Sequence, residues 1–310
     1  MDYYDKYTHG ILASLPIPYV NGGLTSPKVN SAKVRNKGFE FDLNYRNTFG
    51  PVEVSLGVNG TINKNVIEKY KGDLLEAHGQ GVWTEGMPIG KYWVREIDHI
   101  VQDQGEIDAL LAQGWTFSPS TPGPGDFLYK DQNGDKKIND DDRILKGNPI
   151  PVFTYGGNIS LNYKDFDFYM LVNGVLGWDR YTSSQFFSLN QYVQGYLYPT
   201  YLLNQWTDEN HNTTIPKVYV SNAKNQQQSD YHLHSADYLR IKTLQLGYTV
   251  PSLLTKKIGI DKLRVYVNME NFFTFTSYPG MDPETTGSSS NADTTYPLMK
   301  TISVGLNVNF

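Results

Sequence analysis

The stretch Lys300–Phe310, KTISVGLNVNF, decides the fold. Ile302, Val304, Leu306, Val308 and Phe310 are apolar, while Thr301, Ser303, Gly305, Asn307 and Asn309 are polar or small. Successive side chains of a strand point to opposite faces, so this strand has one apolar and one polar face. On the edge of a soluble sheet such a strand invites aggregation. A transmembrane barrel requires the same pattern: apolar side chains toward lipid, polar ones toward the lumen, edges closed by pairing.

The period recurs upstream. In Gly38–Arg46, Phe39, Phe41, Leu43 and Tyr45 alternate with Glu40, Asp42, Asn44 and Arg46. After a turn at Asn47–Pro51, Val52, Val54, Leu56, Val58 and Ile62 continue it, which predicts an antiparallel hairpin. A second hairpin joins Phe153–Lys164 to Phe166–Asn173 through Lys164–Asp165. Tyr238–Val250 and Leu263–Asn271 complete a third set with the terminal strand, and Met1–Tyr7 reads as the end of another strand. Long connections separate these pairs: Leu15–Asn30, Val66–Pro151, Trp178–Ser235 and Thr276–Tyr296. The second carries a predicted helix over Glu106–Gln113, and the third a partly helical Ser184–Trp206. Strands of about 9–12 residues match what a tilted strand needs to cross a bilayer, and Tyr and Phe gather near their ends. The fold class is therefore all-β: a segment of an antiparallel transmembrane β-barrel, about seven or eight strands, with long extracellular loops and short periplasmic turns. A soluble sandwich with one buried face leaves the loop asymmetry and the aromatic ends unexplained.

Composition agrees. The 23 Tyr, 14 Phe and 28 Gly favour strands and turns. A net charge of −5 and a pI near 5.7, with no basic run, exclude a nucleic-acid partner. With no cysteine, neither a disulfide framework nor a thiolate metal site exists. Mean hydropathy is −0.46, which is uninformative for a barrel because the lumen-facing half offsets the lipid-facing half. The N-terminal MDYYDKYTHG is not a signal peptide.

Several blocks carry a family resemblance: VRNKGFEFDLNYRN (Val34–Asn47), EGMPIGKYWVREIDHIVQDQGEIDAL (Glu85–Leu110), the run from Gly125 to Gly174, DYLRIKTLQLGYTVP (Asp237–Pro251), LRVYVNMENFFTFTSYPGMDPE (Leu263–Glu284) and the terminal strand. In these the chain resembles the C-terminal third of SusC/RagA-type TonB-dependent outer-membrane transporters of Bacteroidetes. The resemblance implies an outer-membrane location and a barrel of about 22 strands closed around an N-terminal plug. It further implies TonB-driven import of oligosaccharides or peptides, and a SusD-like lipoprotein as extracellular lid. Residues 1–310 are then the C-terminal part of the barrel, with plug domain, TonB box and signal peptide absent from them. Lys300–Phe310 is expected to pair on one side only, with Leu263–Asn271.

One local motif suggests a cofactor. Asp131, Asn133, Asp135, Lys137 (through its carbonyl), Asn139 and Asp142 stand at positions 1, 3, 5, 7, 9 and 12 of a Ca²⁺-binding loop. Position 6 is Lys136 rather than Gly, and position 12 is Asp rather than Glu. The other reading is an Asx-rich turn capped by its own side chains. Apart from that ligand role of Asp142, Asp140, Asp141 and Asp142 read as a solvated acidic run. His232 and His234 stand on one face of a strand as a possible metal pair; without a third ligand nearby they read as surface histidines. Loop aromatics, namely Trp83, Tyr92, Trp93, Trp115, Trp178, Tyr192, Tyr196, Tyr198, Tyr201 and Trp206, could stack on sugar rings or simply pack the loops. No hydrolase, phosphate-loop or metalloprotease motif is present, so an enzyme is not expected. The alternative function is a soluble, β-rich, calcium-binding interaction module with aromatic glycan-binding loops.

Overall fold

The computed structural model describes residues 1–14, 27–71, 82–182, 200–219, 224–285 and 296–310. Three strands lead: β1 (Asp2–Ser14), β2 (Lys28–Phe49) and β3 (Val52–Tyr70). The following excursion holds β4 (Tyr92–Arg95), β5 (Ile97–Ile100), helix α1 (Gln104–Ala112), β6 (Thr116–Phe117), β7 (Phe127–Tyr129), β8 (Lys137–Ile138) and β9 (Arg143–Lys146). Then come β10 (Phe153–Tyr163), β11 (Phe166–Leu176), β12 (Asp179–Tyr181), β13 (Leu233–Ser235) and β14 (Tyr238–Val250). Helix α2 (Ser252–Thr255), β15 (Lys262–Thr276) and β16 (Thr301–Asn309) finish the chain.

One antiparallel sheet of eight strands runs in the order β1-β2-β3-β10-β11-β14-β15-β16. Among the described residues β16 pairs only with β15, in register from Lys262↔Asn309 to Glu270↔Thr301, and the sheet stays open. This is the one-sided pairing expected from the sequence.

The registers align side chains into rows across the sheet. One row is Tyr45, Leu56, Ile159, Met170, Leu244, Met269 and Ile302. A neighbouring row on the opposite face is Arg46, Ser55, Ser160, Tyr169, Gln245, Asn268 and Ser303. The first face is apolar yet open: Val304 is 71% exposed and Leu306 64%. Among the described residues no second sheet or helix layer covers it, and an exposed apolar face of a paired sheet is the face a membrane barrel turns to lipid.

Aromatic side chains mark the two borders of this face. Phe39 and Phe153 lie in one row with Ile62 and Leu176. Phe49, Tyr163, Phe166 and Tyr248 lie in another. Ten residues separate the two rows along β10, about 33 Å of strand, or about 25 Å of height at the usual tilt near 40°. That is the height of an outer-membrane apolar band. Within it Gly60 makes room for ring packing: a Cβ there would lie 2.7 Å from Phe41 and 2.8 Å from Phe153.

Sequence reading placed every long strand but shortened several. β1 extends to Ser14, and β2 starts at Lys28, inside the stretch assigned to a loop. β3 runs on to Tyr70 and β15 to Thr276. Beyond Phe39 the alternation of β2 is no longer apolar against polar, because that part has left the membrane, so a hydropathy period cannot follow it. The β14–β15 link is the short helix α2 followed by a 3₁₀ turn, Lys256–Ile258. Helix α1 begins two residues before the predicted start, where the Asp103 side chain caps the Glu106 N–H.

Candidate functional site

All long connections leave from one end of the sheet, and the described parts of those after β3 and β11 fold together into a cap there. The β3–β10 and β11–β14 excursions share a core of Ile100, Phe127, Tyr129, Ile138, Leu202 and Trp206. Trp115 and Tyr201 pack against it. Trp83 meets Tyr70, Tyr92 stacks on Tyr181, Trp93 faces Arg143, and Trp178 faces Arg180. These loop aromatics hold the cap together. Tyr192, Tyr196, Tyr198 and most of Ser184–Trp206 lie outside the described residues, as do residues 15–26 of the first loop.

Charged groups pin the same core. Arg95 is 2% exposed; it donates to the Ser118 carbonyl at 2.6 Å and to Asp140 at 2.9 Å, and its guanidinium lies over the Tyr129 ring. Asp140 also pairs with Arg143. Burial would raise the Asp140 carboxyl, but the two arginines outweigh it and hold it below the usual range. The acidic run is thus not simply solvated: Asp140 is an ion-pair hub and Asp142 is fully buried. His232 also departs from expectation. It sits in a 3₁₀ turn (Asp230–His232) rather than on a strand, buried against Tyr181 and Tyr231. Burial, with the nearby His234, pushes its pKa down to about 4.

The six predicted loop ligands stay within one turn. Asp131 accepts from the Gly134 and Lys136 N–H groups, Asn133 from Asp135, Asp135 from Lys137, and Asn139 from Asp141. Asp142 accepts from the Gln132 and Asn139 N–H groups. Lys137 starts the short strand β8. Burial raises Asp131, yet the backbone donors of Lys136, Gly134, Asp135 and Asn133 together lower it. Among the described residues no three His, Asp or Glu side chains are gathered to hold a metal ion.

The polar face of the sheet, beneath the cap, holds a second set of groups that the sequence reading did not single out. Asn59, Asn158, Asn173, Lys242, Thr243 and Glu270 line a concavity of about 840 Å³. The strap after β15 is tied to the β14 side of this wall. Arg240 donates to Asp282 at 2.7 Å, to Glu284 at 2.8 Å and to Thr274 at 2.9 Å. Lys242 donates to Glu284 at 2.7 Å, and Arg180 to the Asp282 and Pro283 carbonyls. Asp282 further accepts from the Glu284 and Leu298 N–H groups. Burial opposes ionisation of Asp282, but Arg240 and those two donors lower its pKa. The strap is thus fixed at both ends by one buried carboxylate. A sequence signal for this existed. Ile241 and Leu244 are three apart in a strand of otherwise period two, and the register shifts there. That bulge keeps both apolar residues on the lipid side and leaves Lys242 at the concavity.

An open antiparallel wall with a lipid band, a polar inner face and a folded cap is the architecture of a large outer-membrane barrel. Over its whole length the chain is similar to TonB-dependent receptors of that membrane. It is 29% identical over 332 aligned positions to TonB-dependent receptor P3 of Formosa agariphila, and 23% over 342 to TonB-dependent receptor SusC of Bacteroides thetaiotaomicron. These alignments cover 100% of the chain but 32% and 30% of the relatives, so the chain spans about a third of the length of the curated relatives it matches. The solved RagAB peptide transporter superposes with a TM-score of 0.76 at 24% identity, covering 99% of this chain and 33% of that one. No family model matches the chain. The fold is that of a SusC/RagA-type barrel wall, and its location is the outer membrane.

Proposed function

We propose that this chain supplies part of the barrel wall and cap of a TonB-dependent importer, and that plug, TonB box and signal peptide lie outside residues 1–310. The observation that carries this is the Asn- and Thr-rich inner face below a fixed cap: hydrogen-bonding groups that can meet the hydroxyls or amides of an oligosaccharide or peptide. The likeness to the RagAB peptide transporter supports import. A SusD-like lipoprotein would close the cap from outside, and the TonB complex would act through the missing part. The test is uptake by cells lacking the gene and complemented with the full-length form. Asn158→Asp with Asn173→Asp in the inner face should lower uptake of the cognate oligosaccharide or peptide without lowering the amount of folded protein. Unchanged uptake of every oligosaccharide and peptide offered would contradict the reading. The oxygen spacing of the Asp131–Asp142 loop supports Ca²⁺ as a bound ion; calorimetry on the intact transporter should show heat that Asp131→Ala abolishes, and silence at millimolar Ca²⁺ would end that idea.

A further inference from the structure

Above the Phe39 border the outward face of β1–β3 changes character within one row. Tyr3, Phe39 and Ile62 form the last apolar row. The next outward row is Asp5, Lys37 and Lys64, then Tyr7, Arg35 and Val66, then Lys33 with Lys69. Five cations (Lys33, Arg35, Lys37, Lys64, Lys69) meet two carboxylates (Asp5, Glu68), a local charge of +3 on a chain whose net charge is −5. Arg35 is held by Asp5 at 2.6 Å and by Glu68 at 3.1 Å, and Lys37 reaches Asp5 at 3.7 Å. Lys33, Lys64 and Lys69 are exposed and have no acidic partner among the described residues. Arg35, Lys37, Lys64, Val66 and Glu68 border a concavity of about 220 Å³ on this outer surface.

The height of these groups matters. The first basic row stands two residues above the border, about 7 Å along the strand and about 5 Å in height after tilt. The headgroup layer of a bilayer extends about 6 Å beyond its hydrocarbon core. This end carries the long loops, so it faces the outside. We propose that the basic face of β1–β3 binds the phosphate of an acylated glycolipid in the outer leaflet, its acyl chains lying on the apolar band below. Charge complementarity and continuity with that band argue for a lipid rather than a protein. The ammonium groups of Lys64 and Lys37 in that first row take the phosphate, while Asp5 and Glu68 hold Arg35 in place in the row above.

The test uses the full-length transporter purified in mild detergent, with diphosphoryl lipid A as the probe and native mass spectrometry as the readout. Lys37→Gln and Lys64→Gln combined should lower its retention at least tenfold. The control pair Lys256→Gln, Lys257→Gln at the opposite rim should leave it unchanged. If the double variant does not give folded barrel, Lys64→Gln alone should weaken retention about threefold. Undiminished retention in the folded variants would overturn the proposal. So would equal retention of the dephosphorylated lipid, or a protein occupying the face that added lipid A does not displace.

Discussion

The wall and the cap solve opposite problems. The wall, between the Phe39 and Phe49 rows, faces lipid on one side and water on the other, and its backbone groups are paired from strand to strand. Its side chains are therefore chosen almost only by parity. The cap has no lipid. It must bury a core of its own from irregular backbone, and it does so with aromatic side chains and paired cations such as Arg95 and Arg240. What fails in the wall is a charge at the wrong parity; what fails in the cap is the loss of one partner.

The largest contrast should come from Ile159→Arg, in the middle of the apolar band. It should cost about 2–4 kcal/mol in a reversible unfolding titration in lipid, whereas Ser160→Arg on the inner face should stay within about 0.5 kcal/mol. Equal costs would erase the distinction between the faces. Next is the strap. Asp282→Ala leaves Arg240 with Glu284 and Thr274 and strips the Glu284 and Leu298 N–H groups of their acceptor. A local loss of about 1–3 kcal/mol is expected, read as faster amide exchange between residues 276 and 285 with no change in β10 or β11. Exchange that quickens equally in the wall would show that cap and wall are one cooperative unit.

A smaller effect is pH-dependent and confined to the cap. His232 titrates at about 4 in the fold against 6.5 when exposed, so the unfolded form binds a proton first as pH falls. The contribution of neutral His232 is fully present above about pH 6.5 and is lost on the way down to about pH 4. At about pH 5.5 the cap should be weaker by roughly 1 kcal/mol. Amide exchange around Tyr181 should quicken accordingly, and His232→Gln should flatten that dependence. A profile unchanged by the variant would remove His232 from it.

The same contrast explains what could be read from the sequence. In Lys300–Phe310 and in β10, parity alone fixed strand, partner and exposed face, because the lipid boundary writes itself into every second residue. In β2 the signal stopped at Phe39, where the strand goes on but the lipid ends. His232 looked like a surface residue because its burial comes from Tyr181 and Tyr231, the first of them about fifty positions away. The Asp282 hub was invisible for a like reason: Arg180, Arg240 and Leu298 reach it from separate segments. Only the Ile241–Leu244 spacing hinted at it. The loop from Asp131 to Asp142 was read first as a Ca²⁺ loop and second as a self-capped Asx turn; the backbone N–H bonds to Asp131 belong to either reading.

The most direct test of the lipid-facing wall uses the absence of cysteine from these 310 residues. Single cysteines are placed at each position from Asn158 to Tyr163 of the full-length protein in native outer membranes. Each is then labelled and quenched from either the lipid or the aqueous phase. A barrel wall gives strict alternation: Ile159, Leu161 and Tyr163 quenched from lipid, Asn158, Ser160 and Asn162 from water. Aqueous quenching at all six positions, or no alternation, would contradict it.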